Sequence, residues 1–184
     1  MTGSQYTTFM ERALPNALVS KRGTGFQFSN APLDGRITWR VSALRGETND
    51  SGKGFSSDDA YDIGARVTGL PLYRNKGEYL VHLGASYIHQ FRSGAETFQY
   101  RARPEAALAR RVINTKALPT RGQDLFGFEL AVVAGRVSIQ TEFIGSVVNQ
   151  RAGGEAFFWG AYGMATLSLT GEHREFDKDS ATFD

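Results

Sequence analysis

The chain has 184 residues, 41% of them hydrophobic and 22% charged, with a formal net charge of +2, three histidines and no cysteine. That length leaves room for one domain, and the missing cysteines exclude a disulfide framework, a thiolate nucleophile and a cysteine metal site. Twenty-one glycines and 12% aromatic residues beside only five prolines point to an all-β chain built of many patterned segments.

No apolar run approaches the roughly 18 residues of a membrane helix. The opening Met1–Tyr6 is polar and carries no secretory signal, which by itself places the chain in the cytoplasm unless it starts part-way into a longer protein. Thr7–Glu11 is a candidate first strand, and seven further strands are expected between Gly23 and Thr170. From Arg36, the residues Ile37, Trp39, Val41 and Ala43 alternate with Thr38, Arg40 and Ser42, a strict two-residue period. Ile63, Ala65 and Val67 then alternate with Asp62, Gly64, Arg66 and Thr68. Tyr79, Val81, Leu83, Ala85, Tyr87 and Phe91 oppose His82, Ser86, Gln90 and Arg92. Phe126, Phe128, Leu130, Val132 and Ala134 form one face of the next segment. Val137, Ile139, Thr141, Phe143 and Val147 oppose Ser138, Gln140, Glu142 and Ser146, and Ala156–Thr170 is the last segment.

The connections differ in kind. Ala31–Gly35, Arg74–Gly77 and Ala134–Arg136 read as tight turns, whereas Glu47–Ala60 and Gly94–Asp124 are long and polar. One end of the sheet thus carries turns and the other loops, as in outer-membrane barrels. Glu78–Phe91 and Val137–Val148 are also longer than the usual five or six residues of a globular strand and suit a tilted membrane strand of roughly nine to eleven. Arg36, Arg40, Arg66, Arg92 and Glu142 on the polar face would each cost several kcal/mol in a dry core unless paired, and little against a water-filled lumen. A half-buried soluble sheet has the same period.

Four segments in order carry a family resemblance: Thr8-Phe9-Met10-Glu11-Arg12-Ala13-Leu14-Pro15; Tyr100-Arg101-Ala102-Arg103-Pro104-Glu105; Phe128-Glu129 followed by Ser138-Ile139-Gln140-Thr141-Glu142-Phe143; and Leu169-Thr170-Gly171-Glu172-His173-Arg174-Glu175-Phe176. Together they resemble the phosphate-selective porin O and P family of Gram-negative outer membranes over nearly the whole chain. The resemblance implies an all-β, antiparallel transmembrane β-barrel of the porin type, here about seven or eight strands of an expected sixteen, so that residues 1–184 are an internal part of a longer barrel. It further implies a homotrimer in outer-membrane lipid, loops that fold inward at 11–22 and 94–124, and passage of phosphate or related small anions.

Between Tyr100 and Arg121 lie six basic side chains, Arg101, Arg103, Arg110, Arg111, Lys116 and Arg121, with only Glu105 against them. Such a segment attracts anions, and guanidinium forks and ammonium groups match phosphate oxygens. Arg101 and Arg103 fall on one side of an extended segment, roughly 6.6 Å apart. By resemblance Ser20, Lys21 and Arg22 are further anion ligands, and Arg40 and Arg66 line the pore. A basic turn leading into a strand explains the Lys21–Arg22 pair equally well.

The expected function is therefore passive anion diffusion through an arginine-lined pore, without catalysis, metal or cofactor. The alternatives are a non-conducting small β-barrel and a soluble β-sheet binding module. His82, His89 and His173 lack metal-site spacing, and His82 and Ser86 stand about 13 Å apart along one strand, beyond direct proton transfer. Asp58, Asp59 and Asp62 lack the EF-hand pattern, and the basic balance lacks the aromatic platforms of a nucleic-acid site.

Overall fold

The computed structural model describes residues 13–19, 23–46, 61–92, 97–102 and 110–183. After a 3-10 turn at Leu14–Leu18 come β1 (Gly23–Asn30), β2 (Ile37–Gly46), β3 (Tyr61–Arg74) and β4 (Tyr79–Phe91). Three two-residue strands follow, β5 (Thr97–Phe98), β6 (Arg101–Ala102) and β7 (Ile113–Asn114). The long strands resume with β8 (Leu118–Ala134), β9 (Val137–Gln150) and β10 (Glu155–Leu167), and the chain ends in the small hairpin of β11 (Phe176–Asp177) and β12 (Thr182–Phe183). The strand expected near Thr7–Glu11 lies outside the described residues.

The long strands form one antiparallel sheet in the order β1-β2-β3-β4-β8-β9-β10, with β5 paired to the start of β8. Among the described residues β1 and β10 are its edges, and the sheet does not close on itself. The seven expected strands are therefore present as sequential antiparallel neighbours. β8 is longer than its alternation implied, reaching back to Leu118 for 17 residues. The register shift between Thr120 and Gly122 absorbs Arg121, and Pro119 and that bulge hide the period from a sequence reading. Residues 118–124 of the loop expected over 94–124 accordingly belong to β8.

The two faces of the sheet are the reverse of a soluble one. Ile37, Trp39, Val41, Ile63, Val67, Leu83, Phe128, Leu130 and Ile139 are all exposed on one face, and Phe26 and Trp159 keep 78% and 63% of their surface. The opposite face buries Thr38, Asp62, Thr68, His82, Gln90, Gln123, Glu129, Ser138, Gln140 and Ser146. Leaving one large apolar side chain in water forgoes about 1.5–3 kcal/mol, and a continuous apolar face of this extent calls for a non-aqueous neighbour. The bare face carries stacked aromatic pairs, Tyr61–Phe91 at its loop end with centroids 4.4 Å apart, then Phe126–Phe157 at 6.1 Å and Phe143–Trp159 at 6.0 Å reaching toward mid-height. Of these, Tyr61–Phe91 stands where a membrane interface favours aromatic rings.

The other face is covered at both ends. Toward the loops, Leu18, Phe98, Tyr100, Ile144 and Val148 make one apolar cluster; toward the turns, Leu70, Leu80, Ala131 and Val133 pack against Phe176, Ala181 and Phe183 of the C-terminal segment. That segment is pinned to the β1–β2 turn, where Leu33 (φ 56°), Asp34 (φ 55°) and Gly35 (φ 70°) are left-handed. A Cβ on Gly35 would stand 2.6 Å from Lys178 Cβ, so the close approach requires glycine.

Lys178 Nζ donates to Asp34 Oδ2 at 2.7 Å, and this bond and charge hold the Asp34 carboxyl below its usual range. A lowered folded-state pKa gives a contribution present above the ordinary carboxylate range and lost as pH falls through the lowered value. Asp34→Asn is expected to abolish that step. Amide exchange of residues 176–183, measured between neutral and acid pH, reads it out as protection that falls in the parent and stays flat in the variant.

Candidate functional site

The candidate site is the covered face of the sheet, taken from its loop end to its turn end. β5, β6 and β7 belong to an excursion between β4 and β8 that packs Phe98, Tyr100 and Ile113 over the loop end of this face. Its anchor is Tyr100, fully buried, whose hydroxyl donates to Ser146 Oγ at 2.6 Å. Burial pushes the phenol up to about 12 against the opposing bond to Ser146, so it stays protonated and available as a donor. Phe98 packs edge-on to its ring at 4.4 Å. Beside it a polar chain crosses the sheet: Arg92 Nη1 and Gln90 Nε2 each donate to Asp62 at 2.8 Å, and Gln123 Nε2 bonds Gln90 Oε1. Arg92 Nη2 stays buried without a partner there, and the Tyr100 hydroxyl reaches the network at Gln123 Oε1, 3.4 Å away.

Of the basic side chains expected from the sequence, Arg101, Arg110, Arg111 and Lys116 belong to that excursion and Arg121 to β8. Arg101 is half-buried, bonds Gln99 Oε1 through Nη2, and keeps a buried Nε with no partner. Arg110, Arg111 and Lys116 are exposed, and Lys116 sits at a left-handed φ of 61°. Arg121, also exposed, borders a cleft at the loop end with His89, Asn149 and Glu155. Arg103, Ser20, Lys21 and Arg22 lie outside the described residues.

Arg40 and Arg66 lie on the covered face at mid-height, directly opposite each other on β2 and β3. Both guanidinium groups are engaged. Arg40 Nη2 donates to the Ser180 carbonyl at 2.8 Å and Arg66 Nη2 to the Ala181 carbonyl at 3.0 Å. Arg66 Nε also pairs with Glu129 Oε1 at 2.7 Å, and these side chains are 21% and 7% exposed. Gly84, between their strands, leaves room for the pair, since a Cβ there would meet Glu129 Oε1 at 2.3 Å. His82, fully buried, stands 3.9 Å from the same oxygen, with its ring 5.3 Å from that of Phe176. At the turn end Arg174 Nη1 donates to Gln140 Oε1 at 2.7 Å and lies over the Phe183 ring at 4.7 Å.

Comparison with known proteins places this inverted sheet. The family model of phosphate-selective porin O and P matches residues 1–184. The chain belongs to that family. A protein of Caulobacter vibrioides described only as uncharacterized is 28% identical over 185 residues, covering 96% of this chain and 37% of the relative. The chain thus spans little more than a third of the length of the curated relative it matches.

Membership accounts for the exposed apolar face, since strands of a porin barrel turn apolar residues outward and polar ones toward the lumen. Other participants on the covered face were not singled out from the sequence. Glu129 lies between Phe128 and Leu130, so its face was legible, but its pairing with Arg66 two strands away was not. Tyr100 gave no signal beyond its place in the second family segment. Residues 176–183 follow the last periodic strand, and their return over the sheet leaves no periodic trace.

Proposed function

We propose that the full-length protein carrying this chain is an outer-membrane porin that passes small anions, phosphate among them, along the face covered by the basic excursion. The observation that supports this best is the seating of that excursion. Phe98 and Tyr100 are buried against Ile144, Val148 and Ser146 on the polar face of the sheet, and in this reading the basic residues that follow them, Arg101, Arg110, Arg111 and Lys116, line the lumen. A series of moderate cationic sites recruits anions and still releases them. Arg103, Ser20, Lys21 and Arg22 extend the series in this reading, and outer-membrane lipid and two further copies of the protein are its partners.

Conductance of the full-length protein in planar bilayers tests the role of the basic segment. Replacing Arg101 and Arg103 by alanine is expected to weaken phosphate block of the chloride current several-fold and to lower the anion-to-cation permeability ratio, because two fixed charges leave the lumen. Lysine at both positions keeps the charge and loses the fork geometry, so the ratio is retained while phosphate block still weakens. Unchanged block and ratio in the double alanine variant would remove these arginines from the pathway.

A further inference from the structure

At mid-height the covered face carries an arrangement that an anion pore does not need. Arg40 and Arg66 are opposite one another across β2–β3, and Glu129 and Glu142 are opposite one another across β8–β9. Like charges directly across a ladder are destabilising, and here two such pairs share one face, the glutamates two residues nearer the turns because Glu129 is in register with Gly84 and Thr68. The wall therefore runs from positive on β2–β3 to negative on β8–β9. A cleft of about 320 Å³ spans both pairs, bordered by Arg40, Ser42, Arg66, Ser86, Glu129 and Glu142.

The middle of the row is neutral. Arg66 and Glu129 close on each other at 2.7 Å, leaving Arg40 toward one end and Glu142 at the other. Arg40 spends one nitrogen on the Ser180 carbonyl. Asp177 also lies within its field, held below the usual carboxylate range first by the Ser180 hydroxyl and, less strongly, by Arg40. The remaining guanidinium edge is left for a ligand. Among the described residues Glu142 makes no ion pair. Ser42 and Ser86 supply hydroxyls along the cleft between the two charged ends.

We propose that this cleft binds and orients zwitterions whose charges are separated by several atoms, such as ω-amino acids, short peptides and aminoalkyl phosphates. The acid end sits at Arg40 and the ammonium end at Glu142. The separation follows from the fold. From β2 to β9 are four strand steps, about 19 Å between backbones at the usual spacing, with a two-residue offset of roughly 7 Å along the strands, and the charged ends stand closer than the backbones where both side chains reach over the cleft. An α-amino acid is too short to engage both ends, and a simple anion engages only one. The inference rests on the porin reading for its transport role, giving the pore a solute class beyond inorganic phosphate, while the binding itself does not require conduction.

The test is calorimetric titration of the detergent-solubilised full-length protein with 6-aminohexanoate, alongside its N-acetyl derivative and hexylamine. The wild type is expected to bind 6-aminohexanoate at least fivefold more tightly than either singly charged compound. Glu142→Gln and Arg40→Gln should each lose most of that advantage, and Glu142→Gln should leave the weak N-acetyl binding unchanged. Equal affinity for all three compounds, or a preference that survives both substitutions, overturns the proposal. Bilayer conductance of the same preparation separates the two readings, since zwitterion binding in a protein that conducts no ions keeps the cleft and overturns the pore.

Discussion

An arginine introduced at Val67 is expected to destabilise the full-length protein in lipid vesicles by about 2–4 kcal/mol, the cost of a lipid-facing cation near the middle of a membrane strand. Val67 lies near the centre of β3 on the bare face, 51% exposed, flanked in register by Trp39 and Ala85. In a water-soluble sheet the same substitution at a half-exposed position would change stability by less than about 0.5 kcal/mol. The two environments therefore predict different magnitudes rather than different signs of a small effect. Ala152→Arg, in the exposed connection between β9 and β10, is the control and should stay within about 0.5 kcal/mol. Urea unfolding from vesicles measures both, and a near-neutral Val67→Arg would show that the apolar face meets water or protein instead of lipid.

The second large effect is expected at Glu129. Its carboxylate is nearly buried and accepts from Arg66 Nε at 2.7 Å beside the fully buried His82. Glu129→Ala leaves the Arg66 guanidinium with the Ala181 carbonyl as its remaining acceptor, and removing one partner of a buried pair costs about 3–5 kcal/mol. Glu129→Gln keeps an acceptor of the same shape and should cost clearly less. Removing both partners in an Arg66→Ala, Glu129→Ala double variant should cost less than the sum of the single changes, since no unpaired charge is left behind. Strict additivity in this cycle, read from the same urea transitions, would show that the two side chains do not depend on each other.

What the sequence revealed and what it concealed divide along the range of the interactions. Alternation such as Ile37-Thr38-Trp39-Arg40-Val41 states which side chains share a face, because a strand sets that locally. The turns at Ala31–Gly35 and Arg74–Gly77 are likewise local, written in glycine, asparagine and aspartate tolerant of left-handed backbone. The direction of the pattern was harder. Thr38 and Trp39 alternate identically whether the polar partner faces water or a lumen, and strand length and loop asymmetry had to decide. β8 was cut short because Pro119 and the bulge at Arg121 interrupt the period even though pairing continues through them. Nothing local could place Ser180 against Arg40 or Ala181 against Arg66, contacts that join residues more than a hundred positions apart. The basic stretch was visible as charge, but its seating depends on Tyr100 meeting Ser146, a pairing that exists only once β8 and β9 are built.

Anion passage by the full-length protein is tested most directly by its zero-current potential in a planar bilayer under a potassium chloride gradient. The proposed anion porin, with its basic excursion on the lumen wall, is expected to give a potential whose sign shows chloride crossing more readily than potassium. A potential of the opposite sign, or a folded and inserted protein that carries no current, would contradict it.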